Sequence, residues 1–192
     1  MKKFPLIVDV ETQHSFRERP NVEDLKISVA VIYDYADNKL KTFFENELGE
    51  LFKIFENASY LIGFNSRSFD IPALAPYYFG NASQFAQFDM LEDVREKIGR
   101  RIGLNDLVDA TLGKGKSGHG LQAIELYREG KLKELAQYCG DDVMLTKELF
   151  DYGVENKMVY YKTEKGKTPI FVSWRKYIED NGSTETSLTL PF

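Results

Sequence analysis

The spacing of apolar and polar positions changes along the chain and lays out an α/β order. Residues 4–10 form an apolar run that predicts a buried strand. Residues 26–35 alternate, with Ile27, Val29, Val31 and Tyr33 set against Ser28, Ala30, Ile32 and Asp34, and predict a second strand. Asp37-Asn38 is a turn signal, and residues 40–44 return as the third strand of a hairpin. Residues 47–56 read as helix, 60–64 as a short buried strand of parallel type, 71–79 as helix and 87–89 as a short strand. Helices are predicted at 91–99, 104–112, 120–128 and 131–151. A strand hairpin is predicted at 157–173, turning at Lys165-Gly166-Lys167.

Composition narrows the class. A chain of 192 residues with 43% hydrophobic and 14% aromatic content can build one core. The expected division is a domain over 1–178, with its core at 4–150, and a tail over 179–192 that is polar first and apolar at its end. No run is long enough to cross a membrane, and the apolar run after Met1-Lys2-Lys3 stops at Asp9, too short for a signal peptide. The single cysteine, Cys139, excludes an internal disulfide framework and reads as a small buried helix residue. A reducing, cytoplasmic location is the expectation. The net charge of −5 argues against a protein that coats nucleic acid. It leaves open an enzyme that concentrates negative charge around metal ions.

Five side chains carry the candidate chemistry. Asp9 and Glu11 stand two apart, so a strand would project both carboxylates from one face and turn Val10 the other way. Tyr138 and Asp142 stand four apart in a helical stretch and share a face there. Asp70 closes the segment that follows the strand at 60–64, and it also suits a helix N-cap ahead of Ile71-Pro72. Each residue alone has an ordinary role: a solvated strand end, a helix cap, a core tyrosine, an exposed helix acid. Order, spacing and context together point instead to a carboxylate cage. Adjacent carboxylates repel each other, and a hard cation such as Mg²⁺ or Mn²⁺ relieves that repulsion.

On these residues the chain resembles the DnaQ-like 3′–5′ exonucleases of the DEDD superfamily, over roughly residues 4–150. The resemblance implies a ribonuclease H-like α/β fold, a mixed sheet flanked by helices. Asp9 and Glu11 match the family's first motif, Asp70 the second and Asp142 the third. One branch of the family has histidine five positions before the last aspartate, where this chain has Gln137; the other has tyrosine four before it, here Tyr138. His14 and His119 do not fit the histidine role by spacing, and taking Asp141 as the last acid would put Gln137 in the tyrosine slot.

The resemblance implies two Mg²⁺ or Mn²⁺ ions. Asp9, Glu11 and Asp142 would hold the first, Asp9 would bridge to the second with support from Asp70, and Tyr138 would orient the attacking water. It also implies hydrolysis at the 3′ end of single-stranded nucleic acid, with DNA favoured, in replication, repair or proofreading. A ribonuclease for RNA 3′-end processing and a non-catalytic nucleic-acid-binding module of the same fold are the alternatives. Main-chain groups around Val10, Glu11 and Thr12 would seat the terminal nucleotide, and Phe64, Asn65 and Phe69 are candidates for stacking and sugar contacts. Asp89, at a strand end, either assists the site or caps the helix that follows. Phosphate contacts are expected from local cations: Lys2 and Lys3, the cluster Arg95, Lys97, Arg100 and Arg101, or Lys114 and Lys116 in a glycine-rich loop that does not match a Walker motif.

The tail ends in Ser187-Leu188-Thr189-Leu190-Pro191-Phe192. It either folds back on its own domain or docks, since it resembles the short peptide by which bacterial replication and repair proteins bind the sliding clamp. Ser187 stands where that motif usually has glutamine. Leu188, Leu190 and Phe192 would fill apolar pockets, as short extended ligands do. Deleting residues 188–192 is expected to leave cleavage of short oligonucleotides intact and to abolish clamp binding. A titration without clamp binding by the full chain at tens of micromolar, a typical range for a single short motif, would refute the docking role.

Overall fold

Five strands build one mixed sheet: β1 (Leu6–Thr12), β2 (Ile27–Asp34), β3 (Lys39–Phe44), β4 (Leu61–Gly63) and β5 (Gln87–Asp89), in the order β3-β2-β1-β4-β5. The first three are antiparallel neighbours, and β4 and β5 run parallel to β1. Helices α1 (Leu48–Phe55), α2 (Asp70–Leu74), α3 (Met90–Ile98), α4 (Leu104–Leu112), α5 (Gly120–Arg128) and α6 (Leu132–Asn156) surround the sheet. A separate hairpin of β6 (Met158–Thr163) and β7 (Gly166–Phe171) leads to the short α7 (Lys176–Glu179). The computed structural model describes residues 2–114, 120–164 and 166–179. The expectations for Lys116, His119, Lys165, Leu188, Leu190 and Phe192 lie outside the described residues. Among the described residues, no helix is long and apolar enough to cross a membrane.

Two apolar layers cover the sheet, and alternation along β1 assigns its side chains to them. Ile7 joins the layer formed with Leu135, Cys139, Val143 and Phe150 of α6, while Leu6, Val8 and Val10 join Leu48, Leu51 and Phe55 of α1 on the opposite face. Period-two geometry therefore turns Asp9 and Glu11 toward α6. Both are internal to the strand rather than beyond its end. The expected stop at residue 10 is passed because the antiparallel ladder with β2 continues to Thr12 opposite Ile27, through an irregularity between Glu11 and Thr12. The predicted alternation of β2 is present, but all eight of its residues are buried. Helices pack on both faces, so even the polar phase is covered.

Two helices differ in length from the expectation. The helix predicted at 71–79 ends at Leu74 and gives way to a 3₁₀ turn over Ala75–Tyr77. Pro76 has no amide hydrogen to continue the α-helical bonding. In contrast, α6 runs five residues past the predicted end at 151 because it continues to Asn156, where Lys157 takes a left-handed conformation with φ of 59°. Gly153 lies in that added turn, where the weak helix propensity of glycine is overridden by packing. A Cβ there would meet Cε3 of Trp174 at 2.3 Å and Cζ3 at 2.5 Å.

Trp174 is the only tryptophan of the chain. It is fully buried and stacks on Phe150 at 6.0 Å between centroids, and its Nε1 donates to Asp93 of α3 at 2.8 Å. Gly153→Ala gains about 1 kcal/mol of helix propensity but forces this ring out of place, which costs about 1–3 kcal/mol. Net destabilisation is expected, with a lower urea midpoint and a red-shifted tryptophan emission in the folded state. Unchanged emission together with a higher midpoint would contradict this packing.

Candidate active site

The acids meet where β1 passes under α6. Asp9 and Glu11 of β1 and Asp142 of α6 each offer a carboxylate oxygen, and the three oxygens lie within 4.8 Å of one another. All three side chains are half-buried: neighbouring protein encloses them while a cleft keeps them in reach of solvent. Burial raises the pKa of Asp9 well above the usual carboxylate range, as do the charges of Asp70, Glu11 and Asp142, with the Cys139 thiol opposing. Glu11 is raised in the same direction, by burial first and then by Asp142 and Asp70.

Asp70 stands beside this trio rather than in it. The parallel ladder between β1 and β4 includes Leu6 and Ile7 only, so the next strand amide on that side needs another acceptor. The Val10 amide donates to Oδ1 of Asp70 at 3.0 Å. Asp70 is fully buried, and burial pushes its pKa up to about 7 although the Val10 amide favours the charged form. It is the first residue of α2 and follows the N-cap position held by Phe69, so it is not the cap.

Asp89 does take the cap role. It accepts from the Leu91 amide at 2.9 Å and the Glu92 amide at 3.3 Å. It also binds the loop before Asp70, through the amides of Asn65 at 2.9 Å and Arg67 at 3.0 Å. A Cβ on Gly63 would sit 2.5 Å from Cβ of Ser66, so the turn out of β4 packs this tightly only with glycine there.

On α6, Tyr138 is half-buried and faces the trio. Its pKa is raised by burial and by the charges of Glu11, Asp142 and Asp9, so the phenol keeps its proton. Asp141 is exposed and accepts from Nε2 of Gln137 at 2.6 Å, which places it outside the cluster. Cys139 is fully buried as expected, with Sγ 3.4 Å from Oδ2 of Asp9.

A cavity of about 600 Å³ opens beside the acids. Asp9, Val10, Glu11, Thr12, Phe64, Asn65, Phe69 and Asp70 all line it. Two of the expected contacts are already committed within the protein: the Val10 amide to Asp70, and the Thr12 hydroxyl to the His14 carbonyl at 2.9 Å. What Val10 and Thr12 present to a ligand is therefore neither of those groups. His14 lines the cavity but belongs to no metal-ligating group among the described residues.

Sequence reading missed Phe16, Arg17 and Leu121, which also line this cavity. Phe16 is 53% exposed and packs against Phe69 at 5.9 Å between centroids. Leu121 is 66% exposed. An isolated phenylalanine in the polar stretch after the first acids was the available signal. The loop that carries Phe16 is fastened by the Ser15 amide and hydroxyl, which donate to Glu18, and by the Glu18–Arg128 ion pair to α5.

Comparison with known proteins agrees with this architecture. The model of the RNase_H_2 family, of the RNase H superfamily, matches residues 6–154. The fold is similar to that of a family B DNA polymerase from the hyperthermophilic archaeon Pyrobaculum calidifontis, with a TM-score of 0.61 and 15% identity over 80% of this chain and 25% of that one. It is also similar to RNase D of Trypanosoma brucei, with a TM-score of 0.53 and 14% identity over 78% of this chain and 57% of that one. This chain thus spans about a quarter of the polymerase and somewhat over half of the RNase D chain. At these identities the likeness is one of fold. A search of curated proteins found no match.

An acid whose pKa is higher in the folded than in the unfolded chain binds more protons when folded. Folding stability then falls as pH rises between the two values. For Asp70 that window runs from about 4 to about 7. In chelator, Tm is expected to fall as pH is raised from 5 to 8. Asp9→Asn should raise the Tm at pH 8 by about 2–4 °C, the equivalent of about 1 kcal/mol in a chain of this length, and by less at pH 5. A Tm lowered at pH 8 would refute repulsion within the cluster.

Proposed function

Given that the chain belongs to the RNase_H_2 family of the RNase H superfamily, we propose that it is a metal-dependent 3′–5′ exonuclease acting on single-stranded nucleic acid. The observation that carries this reading is the meeting of Asp9, Glu11 and Asp142 within 4.8 Å, with a protonated tyrosine one helical turn before Asp142. The donor set fits Mg²⁺ or Mn²⁺: three carboxylate oxygens, held together against their own repulsion, with no nitrogen ligand among the described residues of the group. Asp9, Glu11 and Asp142 would hold one such ion, and Asp9 and Asp70 would help to hold a second. When bound, they supply positive charge that offsets the crowded carboxylates, acidifies a coordinated water and stabilises the leaving oxygen.

The chain's own groups supply position. Tyr138 keeps its proton near neutral pH, so it acts as a hydrogen-bond donor that orients the attacking water and is not its base. Asp70 is fixed to the backbone of β1 by its bond to Val10, next in the strand to Asp9. Phe16, Phe64 and Phe69 give the cavity aromatic surface on which the terminal base can stack, a contact that tolerates any base. Every acid of the resemblance is retained, which favours an enzyme over a non-catalytic module of the same fold.

The test is release of mononucleotides from labelled single-stranded DNA, duplex DNA and RNA, with Mg²⁺ or Mn²⁺ and with chelator. Tyr138→Phe is expected to lower kcat about 100-fold or more, the usual size of one positioned hydrogen-bond donor, with little change in strand binding. Asp142→Ala should abolish release in a folded protein, and His14→Ala should matter far less. Near-normal activity of metal-saturated Asp142→Ala, or a silent Tyr138→Phe, would defeat the assignment.

A further inference from the structure

The charge pattern outside the acid cluster is uneven. With a net charge of −5, this chain can draw a polyanion only through local groups of unpaired cations. Ion pairs remove several candidates: Lys97 is held by Asp93 and Lys114 by Glu148. Arg100 and Arg101 are exposed, and among the described residues neither takes part in an ion pair. They occupy the turn between α3 and α4, framed by Gly99 at φ 73° and by Gly103 at the N-cap of α4.

These arginines line a second cavity, of about 580 Å³. Phe64 and Asn65 line it, and so does Lys162 of β6, which pairs with Asp109 at 2.5 Å. Phe64 and Asn65 also line the cavity at the acids, so the two hollows adjoin across these two residues. The shared ridge is held in a definite shape. Asn65 has φ of 71°, its amide is bound by Asp89, and its Oδ1 accepts from Nη2 of Arg101 at 3.0 Å. The exposed Arg100 guanidinium lies 5.5 Å from the ring centroid of Tyr161 of β6, and a stacked guanidinium can still bind an anion through its planar fork. Asp109 is matched by Lys162, so Asp106 is the one acid of this lining set against two unpaired arginines. Tyr161 and Lys162 lie beyond the segment 6–154 matched by the family model, so the C-terminal hairpin adds this side of the groove.

We propose that the second cavity carries the part of the nucleic-acid strand 5′ to the nucleotide held at the acids, with its phosphates on Arg100 and Arg101. The inference rests on the exonuclease reading, which supplies the terminal nucleotide in the first cavity. Continuity through Phe64 and Asn65 gives the strand a path, and the two guanidiniums give it charge complementarity. The site reads backbone, not base sequence.

The test compares wild type, Arg100→Ala/Arg101→Ala and, as a control of equal charge change per site, Lys53→Ala on α1. Cleavage of a dinucleotide and of a twelve-nucleotide single strand is measured with Mg²⁺, and fluorescence anisotropy of the longer strand is titrated in chelator against salt. The double variant is expected to lower kcat/KM for the long strand about tenfold more than for the dinucleotide. The slope of log binding against log salt should fall by about 0.7 for each phosphate that the variant no longer neutralises. Lys53→Ala should match wild type. Equal losses on both substrates, no loss on either, or the same effect from Lys53→Ala would overturn the groove. If wild type cleaves nothing with either metal, the nuclease reading fails. Anisotropy then decides the groove alone, supporting it when only the double variant binds more weakly and overturning it when the curves coincide.

Discussion

Repulsion among carboxylates gathered over one short length of backbone is the constraint around which this molecule is built. Asp9 and Glu11 share a face of β1, Asp142 approaches from α6, and Asp70 lies close enough to raise the pKa of both strand acids. The mutual repulsion in that cluster opposes folding without a counter-charge. The surrounding structure has to hold it from outside. β1 is the middle strand of five, bonded to β2 along its length, with an apolar layer on each face. The strand can therefore carry two crowded acids without leaving the sheet. The Val10 amide gives Asp70 a fixed seat, and the buried side chains of α6 fix the approach of Tyr138 and Asp142.

The position of Cys139 follows from the same constraint. It is one residue from Tyr138, faces β1 directly, and places a small weak donor against Asp9 where a larger side chain would push the helix away. Burial and the neighbouring carboxylates raise its pKa, so it remains a neutral thiol and adds no further negative charge. The helix face that supplies the third acid is thus lined by groups that tolerate close approach.

Most of this was legible in the sequence because it depends on local periodicity. The phase of β1 placed Asp9 and Glu11 together, and helical spacing placed Tyr138 beside Asp142; the solvent exposure of Asp141 is seen only in the structure. Element ends were less legible where a distant contact decided them. α6 extends through Gly153 because Trp174 fills the space a side chain would need. Likewise, the shared use of Asp89 by the 65–67 loop and by α3 depends on β4 and β5 lying side by side. The lining of the cavities was least legible. Phe16, Leu121 and Lys162 acquire their meaning only when segments far apart in the chain are brought to common walls.

Asp89 has a consequence for how such a chain can diversify. One carboxylate binds four amides from two segments, those of Asn65 and Arg67 before α2 and those of Leu91 and Glu92 in α3. The connection from Gly63 to Asp70 is pinned near its middle and at both ends, so it has no slack. An inserted residue there would have to break the Asp89 bonds, shift Asp70 off β1, or both. A change of length there is therefore far more disruptive to the acids than one outside the 63–70 connection.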